Sequence, residues 1–192
     1  VCGVNPATRG LQTNHCLAAL AELMSGQSSS YDCEFFSYDA ALIKPAPAPK
    51  IPILVGGRSS AALRRTARYG DGWLGVWCSP KRFEQAITEV TQGAASLGRE
   101  PEWQHGLQLW VGLGRDVSRA RACLAGEMEQ MYRTPFAAFE KYSPSGSAEA
   151  VADFLLPYVK NGARVLNIKV CADDEDEGIE LLADVCRYLK SA

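Results

Sequence analysis

The residues best suited to chemistry lie in a glycine-containing turn at positions 56–60, Gly-Gly-Arg-Ser-Ser. Free backbone N–H groups, two hydroxyls and a guanidinium would meet there at the start of a predicted helix, which is a favourable place for a phosphate. The spacing matches neither G-x-G-x-x-G nor a P-loop. A tight strand-to-helix turn would need the same two glycines, so the residues alone leave both interpretations open. The candidate anion-binding residues are Gly56, Gly57, Arg58, Ser59 and Ser60.

The hydrophobic pattern around this turn predicts a strand, a helix and a second strand over residues 51–73. Ile51, Ile53 and Val55 suit a short buried strand, and the helix that begins near Ser59 ends at Gly70. Further strands are predicted at 73–77, 107–113 and 164–171, each followed by an amphipathic helix. The inward face of the last helix is predicted to carry Ile179, Leu182, Ala183, Cys186 and Leu189, and that of the helix after residue 116 to carry Leu124, Met128 and Met131.

This alternation predicts four β/α units with a parallel sheet and helices outside it. Four units are half of a (β/α)8 barrel, or a small open doubly wound sheet. We expect one domain over residues 1–192, in which residues 1–50 form a helix and an irregular lead-in and residues 51–192 form the four units. Residues 1–4 suggest the tail of a strand. The aromatic segment at 27–44 is interpreted as a small hairpin packed on the body or as part of a pocket rim.

Composition narrows the classes of function. A chain that is 47% hydrophobic with a formal net charge of −2 suits a globular domain with a core and gives no reason to expect nucleic acid binding. No apolar run approaches the ~20 residues that span a bilayer. The seven cysteines form no C-x-x-C pair, which favours small apolar residues in the reducing cytoplasm. With only His15 and His105 as imidazoles, no metal site is expected.

The central stretch resembles the luciferase-like monooxygenase family of flavin- and deazaflavin-dependent oxidoreductases. The resemblance lies in the run Pro-Ile-Leu-Val-Gly-Gly-Arg-Ser at 52–59, Ala-Leu-Arg-Arg-Thr-Ala at 62–67 and Gly-Asp-Gly-Trp at 70–73. The segments at 97–99 and 145–152 are also similar to family elements. The family usually has Asp-Glu where this chain has Asn14 and His15, and Trp where it has Met24.

The resemblance implies a fold, a cofactor and an enzyme class. The fold is the C-terminal half of a (β/α)8 TIM barrel of the bacterial luciferase-like type. The activity is that of a flavin-dependent oxidoreductase or monooxygenase acting on a small organic substrate. FMN is the first expectation for the cofactor and the deazaflavin coenzyme F420 the second, with the cofactor phosphate at residues 56–60. Trp77 ends the next predicted strand, where its indole would flank a flavin ring or serve as a core residue.

The match begins midway through the family pattern, so the catalytic side chains are expected in a first half-barrel, and none is assigned here. The alternative is a truncated or non-catalytic flavin-binding relative that self-associates as a homo-oligomer. Unpaired sheet edges and an apolar inner face would drive that association, and the inner face is predicted to include Ile53, Leu74, Leu109 and Leu166.

Overall fold

The computed structural model describes residues 3–192, so Val1 and Cys2, half of the strand tail predicted at 1–4, lie outside the described residues. The other half, Gly3 and Val4, belongs to no strand. Six helices follow one another along that range: α1 Arg9–Leu23, α2 Ser60–Tyr69, α3 Pro80–Ala95, α4 Val117–Tyr132, α5 Ala148–Lys160 and α6 Glu175–Ser191. The strands are β1 Ser29–Asp32, β2 Ser37–Ala41, β3 Leu54–Gly56, β4 Gly72–Val76, β5 Gly106–Leu113, β6 Ser145–Gly146 and β7 Val165–Cys171. None of the helices in this range is long and apolar enough to cross a membrane.

Strands β3, β4, β5 and β7 form one parallel sheet in that order. Gly56 pairs with Leu74, Leu74 with Gly106, and Gly106 with Val165. The last residue of β3 is therefore level with the first residues of β5 and β7, so the strands are staggered and β5 and β7 extend further at their carboxyl ends. The short strand β6 pairs with the carboxyl end of β5. The segment between α4 and α5 therefore contains a fifth strand-to-helix step that the sequence pattern does not predict, preceded by 3-10 turns at Phe136–Ala138 and Glu140–Tyr142.

Each helix that follows a strand of this sheet begins at a residue whose side chain accepts a first-turn backbone N–H. Such a cap satisfies a donor that has no partner inside the helix. The caps fix where each strand-to-helix turn ends, and they are Ser59, Ser79, Asp116, Ser147 and Asp174.

The core lies between the sheet and the helix layer formed by α2, α3, α5 and α6. Alternate residues of β5, Leu107, Leu109 and Val111, point into it. The other face of β5 and β7 carries the polar residues Gln108, Asn167 and Lys169. Toward the carboxyl end of this face, Trp110 and Cys171 form a second apolar cluster with Leu124 and Met128 of α4 and with Phe136. The predicted apolar inner face is therefore wrong at Leu109 and Leu166, which pack against the helices.

Two other predicted helix faces are correct only in part. Leu124 and Met128 of α4 are buried, and Leu182 and Leu189 of α6 pack against the core, but the other predicted members are exposed. Met131 and Ile179 are each 66% exposed, and Ala183 and Cys186 are also exposed. In α6 the face is set by Gly178, where an added Cβ would meet the Cβ of Ala172 at 2.8 Å. That close approach turns Val185 inward, together with Leu181, Leu182 and Leu189.

The central strand is shorter than predicted and starts at Leu54, because the proline-rich lead-in remains irregular and largely exposed as far as Ile51. The segment after α1 forms an antiparallel hairpin, β1–β2. This hairpin packs on α1, where His15 Nδ1 lies 3.1 Å from the hydroxyl of Tyr31.

Helix α1 is joined to the body through Arg65 of α2. The Arg65 guanidinium donates to Asn14 Oδ1 at 2.7 Å and to the carbonyl of Gly10 at 3.0 Å. Of the three arginines of α2, Arg65 thus connects α2 to α1 by hydrogen bonds, whereas Arg64 and Arg68 are exposed.

Candidate functional site

Two helix N-termini meet at the carboxyl edge of the sheet. β3 leads into α2 and β4 leads into α3, and because the strands are parallel neighbours both turns lie at the same edge. A cavity of about 160 Å³ opens between these turns. It is lined by Arg58, Trp73, Trp77, Cys78, Ser79, Arg82 and Tyr142.

The two glycines of the predicted turn have different roles. Gly57 has φ 122°, a conformation that favours glycine, and an added Cβ would meet the Cβ of Ala62 at 2.8 Å. Its carbonyl accepts a hydrogen bond of 2.8 Å from Nε1 of Trp73, which fixes the turn. At Gly56 an added Cβ would meet nothing within 4 Å. Gly57 is thus required by the fold, while Gly56 leaves its backbone open to a ligand.

The first turn of α2 offers unused donors. Ser59 Oγ accepts from the backbone N–H of Ala62, as expected of an N-cap. No residue of the described range accepts the N–H of Ser60 or of Ala61. These groups carry the positive end of the helix dipole and point out of the protein at the carboxyl edge.

Two arginine side chains lie at helix N-termini, which are the positive ends of the helix dipoles. Arg58 precedes α2, and Arg82 lies in the first turn of α3 beside Lys81. Neither first turn contains an acidic residue. Within residues 3–192, neither Arg58 nor Arg82 forms an ion pair. Cations at this end of a helix are unfavourable unless an anion is bound between them, so the arrangement is suited to an anionic group.

Trp77 forms one wall of the cavity in a strained conformation. Its φ is 47°, which is uncommon for a bulky residue. The indole packs against Tyr132 at 5.1 Å and Phe139 at 5.0 Å between ring centroids, so the segment after α4 holds it in place. Strain of this kind is concentrated at binding and catalytic sites.

Cys78 lies at the base of the cavity and is buried. Burial raises the pKa of its thiol to about 11, although Arg58 and Arg82 act in the opposite direction. Its carbonyl accepts from the hydroxyl of Tyr158 at 2.7 Å. A neutral thiol is a poor nucleophile, and none of the cavity-lining side chains is a carboxylate or an imidazole. The lining is thus suited to holding an anion and contains no carboxylate or imidazole that could act as a general base.

The structure brings part of the predicted site together. Arg58 and Trp77 line the cavity, while Gly56, Gly57, Ser59 and Ser60 form the turn beside it. The sequence analysis missed the other lining residues. For Arg82 a signal existed, because a basic residue three positions after the cap Ser79 opposes the helix dipole.

The acidic loop before α6 has a structural explanation. Asp174 caps the helix, and Asp173 and Glu177 pair with Arg119 and Arg115.

A larger groove of about 880 Å³ lies at the amino edge of the sheet, around Trp103 and His105. This groove lies at the opposite end of the strands from the turn at 56–60. It shares no lining residue with the cavity between the β3 and β4 turns.

Parallel β/α units with the site at the carboxyl ends of the strands are typical of (β/α)8-barrel enzymes. The chain belongs to the luciferase-like monooxygenase family, whose model matches residues 1–164. The predicted family and fold class are confirmed: the chain forms part of a luciferase-like barrel.

Solved structures support the fold over nearly the whole chain. An F420-dependent secondary alcohol dehydrogenase, bound to an F420-acetone adduct, matches 98% of this chain and 65% of its own with a TM-score of 0.84 at 19% identity. The monooxygenase RslO1 from Streptomyces bottropensis matches 98% of this chain and 63% of its own with a TM-score of 0.77 at 14% identity.

Among the curated relatives, an uncharacterized protein of Mycobacterium tuberculosis is 35% identical over 97 residues, half of this chain and 33% of that protein. The 5,10-methylenetetrahydromethanopterin reductase of Archaeoglobus fulgidus is 32% identical over 80 residues, or 24% of its length. These alignments thus span about a quarter to a third of the relatives they match.

Proposed function

We propose that the chain is part of an oxidoreductase that holds the phosphate of a flavin or deazaflavin cofactor at residues 56–60. The observation that carries this proposal is the placement of Arg58 and Arg82, without ion-pair partners among the described residues, at the positive ends of α2 and α3. Family membership supports the oxidoreductase class.

The residues present fit such a group. Gly56 leaves open space above the backbone, the N–H groups of Ser60 and Ala61 are available as donors, and the two guanidiniums face the cavity. The bound cofactor would supply the redox chemistry. The chain's own contribution is to hold the phosphate through Arg58, Arg82 and the turn, and to bound the cavity with Trp77.

The identity of the cofactor is part of the same proposal. FMN was the first expectation from the sequence, and nothing in the cavity separates it from a deazaflavin. F420 is the cofactor named for the secondary alcohol dehydrogenase and for an F420-dependent hydroxymycolic acid dehydrogenase of Mycobacterium tuberculosis that is 26% identical over 107 residues. These names favour F420, so both cofactors belong in the binding test.

The test is the variant Ser59→Asp. Aspartate is also a good N-cap, so the helix is preserved while a carboxylate occupies the anion site beside Arg58. Losing a charge-assisted hydrogen bond, worth roughly 1.5–3 kcal/mol, lowers affinity by about tenfold to a hundredfold. We expect FMN and F420 to lose affinity by this factor, measured by fluorescence titration, and riboflavin, which has no phosphate, to bind as before.

Ser59→Asn is the matched control, because asparagine caps the helix without adding a charge. Ser147→Asp places the same carboxylate on the equivalent cap of α5, away from the cavity. Neither control should change FMN affinity by more than about twofold. An equal loss for FMN and riboflavin in Ser59→Asp, or no loss for either phosphate-bearing cofactor, would mean that the phosphate is held elsewhere.

A non-catalytic or incomplete chain is the second candidate. The observation that favours it is that part of the sheet's inner face is open: Asn167 and Lys169 are exposed there, while α4 covers Trp110 and Cys171. We therefore expect residues 1–192 alone to show no turnover of reduced flavin and oxygen above background. A rate like that of complete family members would exclude this candidate. The cytoplasmic location predicted from the cysteines remains a prediction.

A further inference from the structure

The groove at the amino edge of the sheet is lined by α3 and by the segments that precede β5 and β7. Its volume of about 880 Å³ lies in the range of small-molecule sites, roughly 300–1,000 Å³. Its lining includes a carboxylate, Glu102, and a guanidinium, Arg164. Within residues 3–192 neither of them forms an ion pair, so both charges are left for a ligand.

Trp103 gives the groove a flat aromatic wall. Its indole stacks on the imidazole of His105, with 4.9 Å between the ring centroids and 10° between the ring planes, and it packs against the apolar core. The indole is half-buried, so its position is fixed while part of its surface faces the groove. Nε2 of His105, which also lines the groove, is buried and has no partner in the described residues. A buried donor without a partner favours a ligand that brings an acceptor.

The polar side chains of the groove differ in what they offer a ligand. Thr88 and Thr91 of α3 each donate their hydroxyl hydrogen, at 2.8 Å, to the backbone carbonyl four residues earlier. Because those hydrogens are used, the two threonines offer only acceptors. Gln92 on the same helix and Gln104 before β5 also line the groove, and their amides can both donate and accept.

We propose that this groove binds an adenylate group, which consists of adenine, ribose and one phosphate. Each part of that group has a matching residue type in the lining. A base stacks on an aromatic side chain such as Trp103, and side-chain amides such as those of Gln92 and Gln104 pair with adenine. A carboxylate such as Glu102 accepts hydrogen bonds from ribose hydroxyls, and the guanidinium of Arg164 binds the phosphate.

The charges of the lining select a single phosphate. Arg164 is the one lysine or arginine among the lining residues of the described chain. A triphosphate would add negative charges that have no partner here and that Glu102 repels. We therefore expect the groove to prefer AMP over ATP.

Isothermal titration calorimetry of residues 1–192 with AMP tests this site independently of the proposed cofactor site. We expect a dissociation constant of about 10–500 µM, with GMP and ATP at least about fivefold weaker. Adenosine, which lacks the phosphate, should bind about tenfold more weakly than AMP. In Arg164→Ala, AMP should bind no more tightly than adenosine. Trp103→Leu should weaken AMP and adenosine equally, by about tenfold.

Two matched controls lie outside the groove. Gln92→Ala should weaken AMP binding at least about fivefold, whereas Gln85→Ala, an exposed glutamine of the same helix that does not line the groove, should leave it unchanged. Arg64→Ala removes an exposed arginine of α2 and should also leave it unchanged. Circular dichroism of each variant should match that of the wild type.

NAD+ in the same titrations identifies the source of the adenylate group. Tighter binding of NAD+ than of AMP assigns the groove to a dinucleotide, and weaker binding assigns it to a free mononucleotide. Absence of AMP binding at up to about 5 mM would overturn the proposal. A loss of AMP binding in Arg82→Ala but not in Arg164→Ala would also overturn it, because the nucleotide would then lie in the cavity between the β3 and β4 turns.

Discussion

His105 gives the structure a dependence of stability on pH that can be measured. The residue immediately precedes β5, and its ring is 4% exposed. Nδ1 accepts a hydrogen bond of 3.1 Å from the backbone N–H of Trp73, so Nε2 carries the hydrogen of the neutral ring. Nε2 itself has no partner in the described residues. Burial lowers the pKa of His105 to about 4, from 6.5.

The sign of the effect follows from proton binding. Between pH 6.5 and 4 the unfolded chain binds a proton at residue 105 and the folded chain does not, so stability is full above pH 6.5 and falls as the pH decreases. Between pH 7 and pH 5 the linkage relation with these two pKa values gives a loss of about 2 kcal/mol. For a domain of this size that corresponds to a fall in Tm of roughly 4–8 °C.

The assay is urea unfolding at several pH values for the wild type and for His105→Asn. The amide oxygen of asparagine can replace Nδ1 as the acceptor for Trp73, and asparagine does not titrate. In this variant the free energy of unfolding should decrease much less between pH 7 and pH 5 than in the wild type. His15→Gln, which changes the other histidine, should show the same decrease as the wild type. If His105→Asn shows the same decrease as the wild type, burial of this ring is not its cause.

Three further outcomes are expected. Asn14→Asp gives Arg65 a charged acceptor and should raise the free energy of unfolding by about 0.5–1 kcal/mol, whereas Asn14→Ala should lower it by about 1–2 kcal/mol, both measured in urea. Gly57→Ala should lower stability by about 1–3 kcal/mol, because of its positive φ and its contact with Ala62. Gly56→Ala should leave stability within about 0.5 kcal/mol but lower FMN affinity in titration, since its methyl group enters the space above the turn.

The order of strands and helices was predictable because it depends on local patterns. Apolar runs bounded by glycine, and Ser or Asp before each helix, act over a few residues, and the caps at Ser59 and Ser79 are where those patterns place them. The faces of Leu109 and Ile179 were not predictable in this way. They depend on which side of a strand or helix another element covers, and in α6 on the missing side chain of Gly178.

The site shows the same division between local and distant determinants. The turn at 56–60 could be found because its residues are adjacent in sequence. Tyr142 and Arg82 reach the same cavity from separate turns, and only the parallel pairing of β3 with β4 and the return of the chain through β6 bring them together. A basic residue in the first turn of a helix, where the helix dipole disfavours a cation, is the local signal that would have identified Arg82.

The two faces of the sheet differ in the kinds of interaction they can make. The face toward the helices is filled by apolar residues such as Leu107 and Val111, so it holds the units together without another chain. The opposite face gains apolar burial only toward its carboxyl end, where Trp110 and Cys171 pack with α4, because Gln108, Asn167 and Lys169 project from the rest of it. A segment that covers the polar part of this face must therefore form hydrogen bonds with its polar side chains and with the unpaired strand edges. Other parallel β/α units can do this. The cavity at residues 56–60, by contrast, is lined by the turns after β3 and β4 and by Tyr142, all within this chain. We therefore expect phosphate binding in residues 1–192 alone, but not chemistry that needs an enclosed barrel.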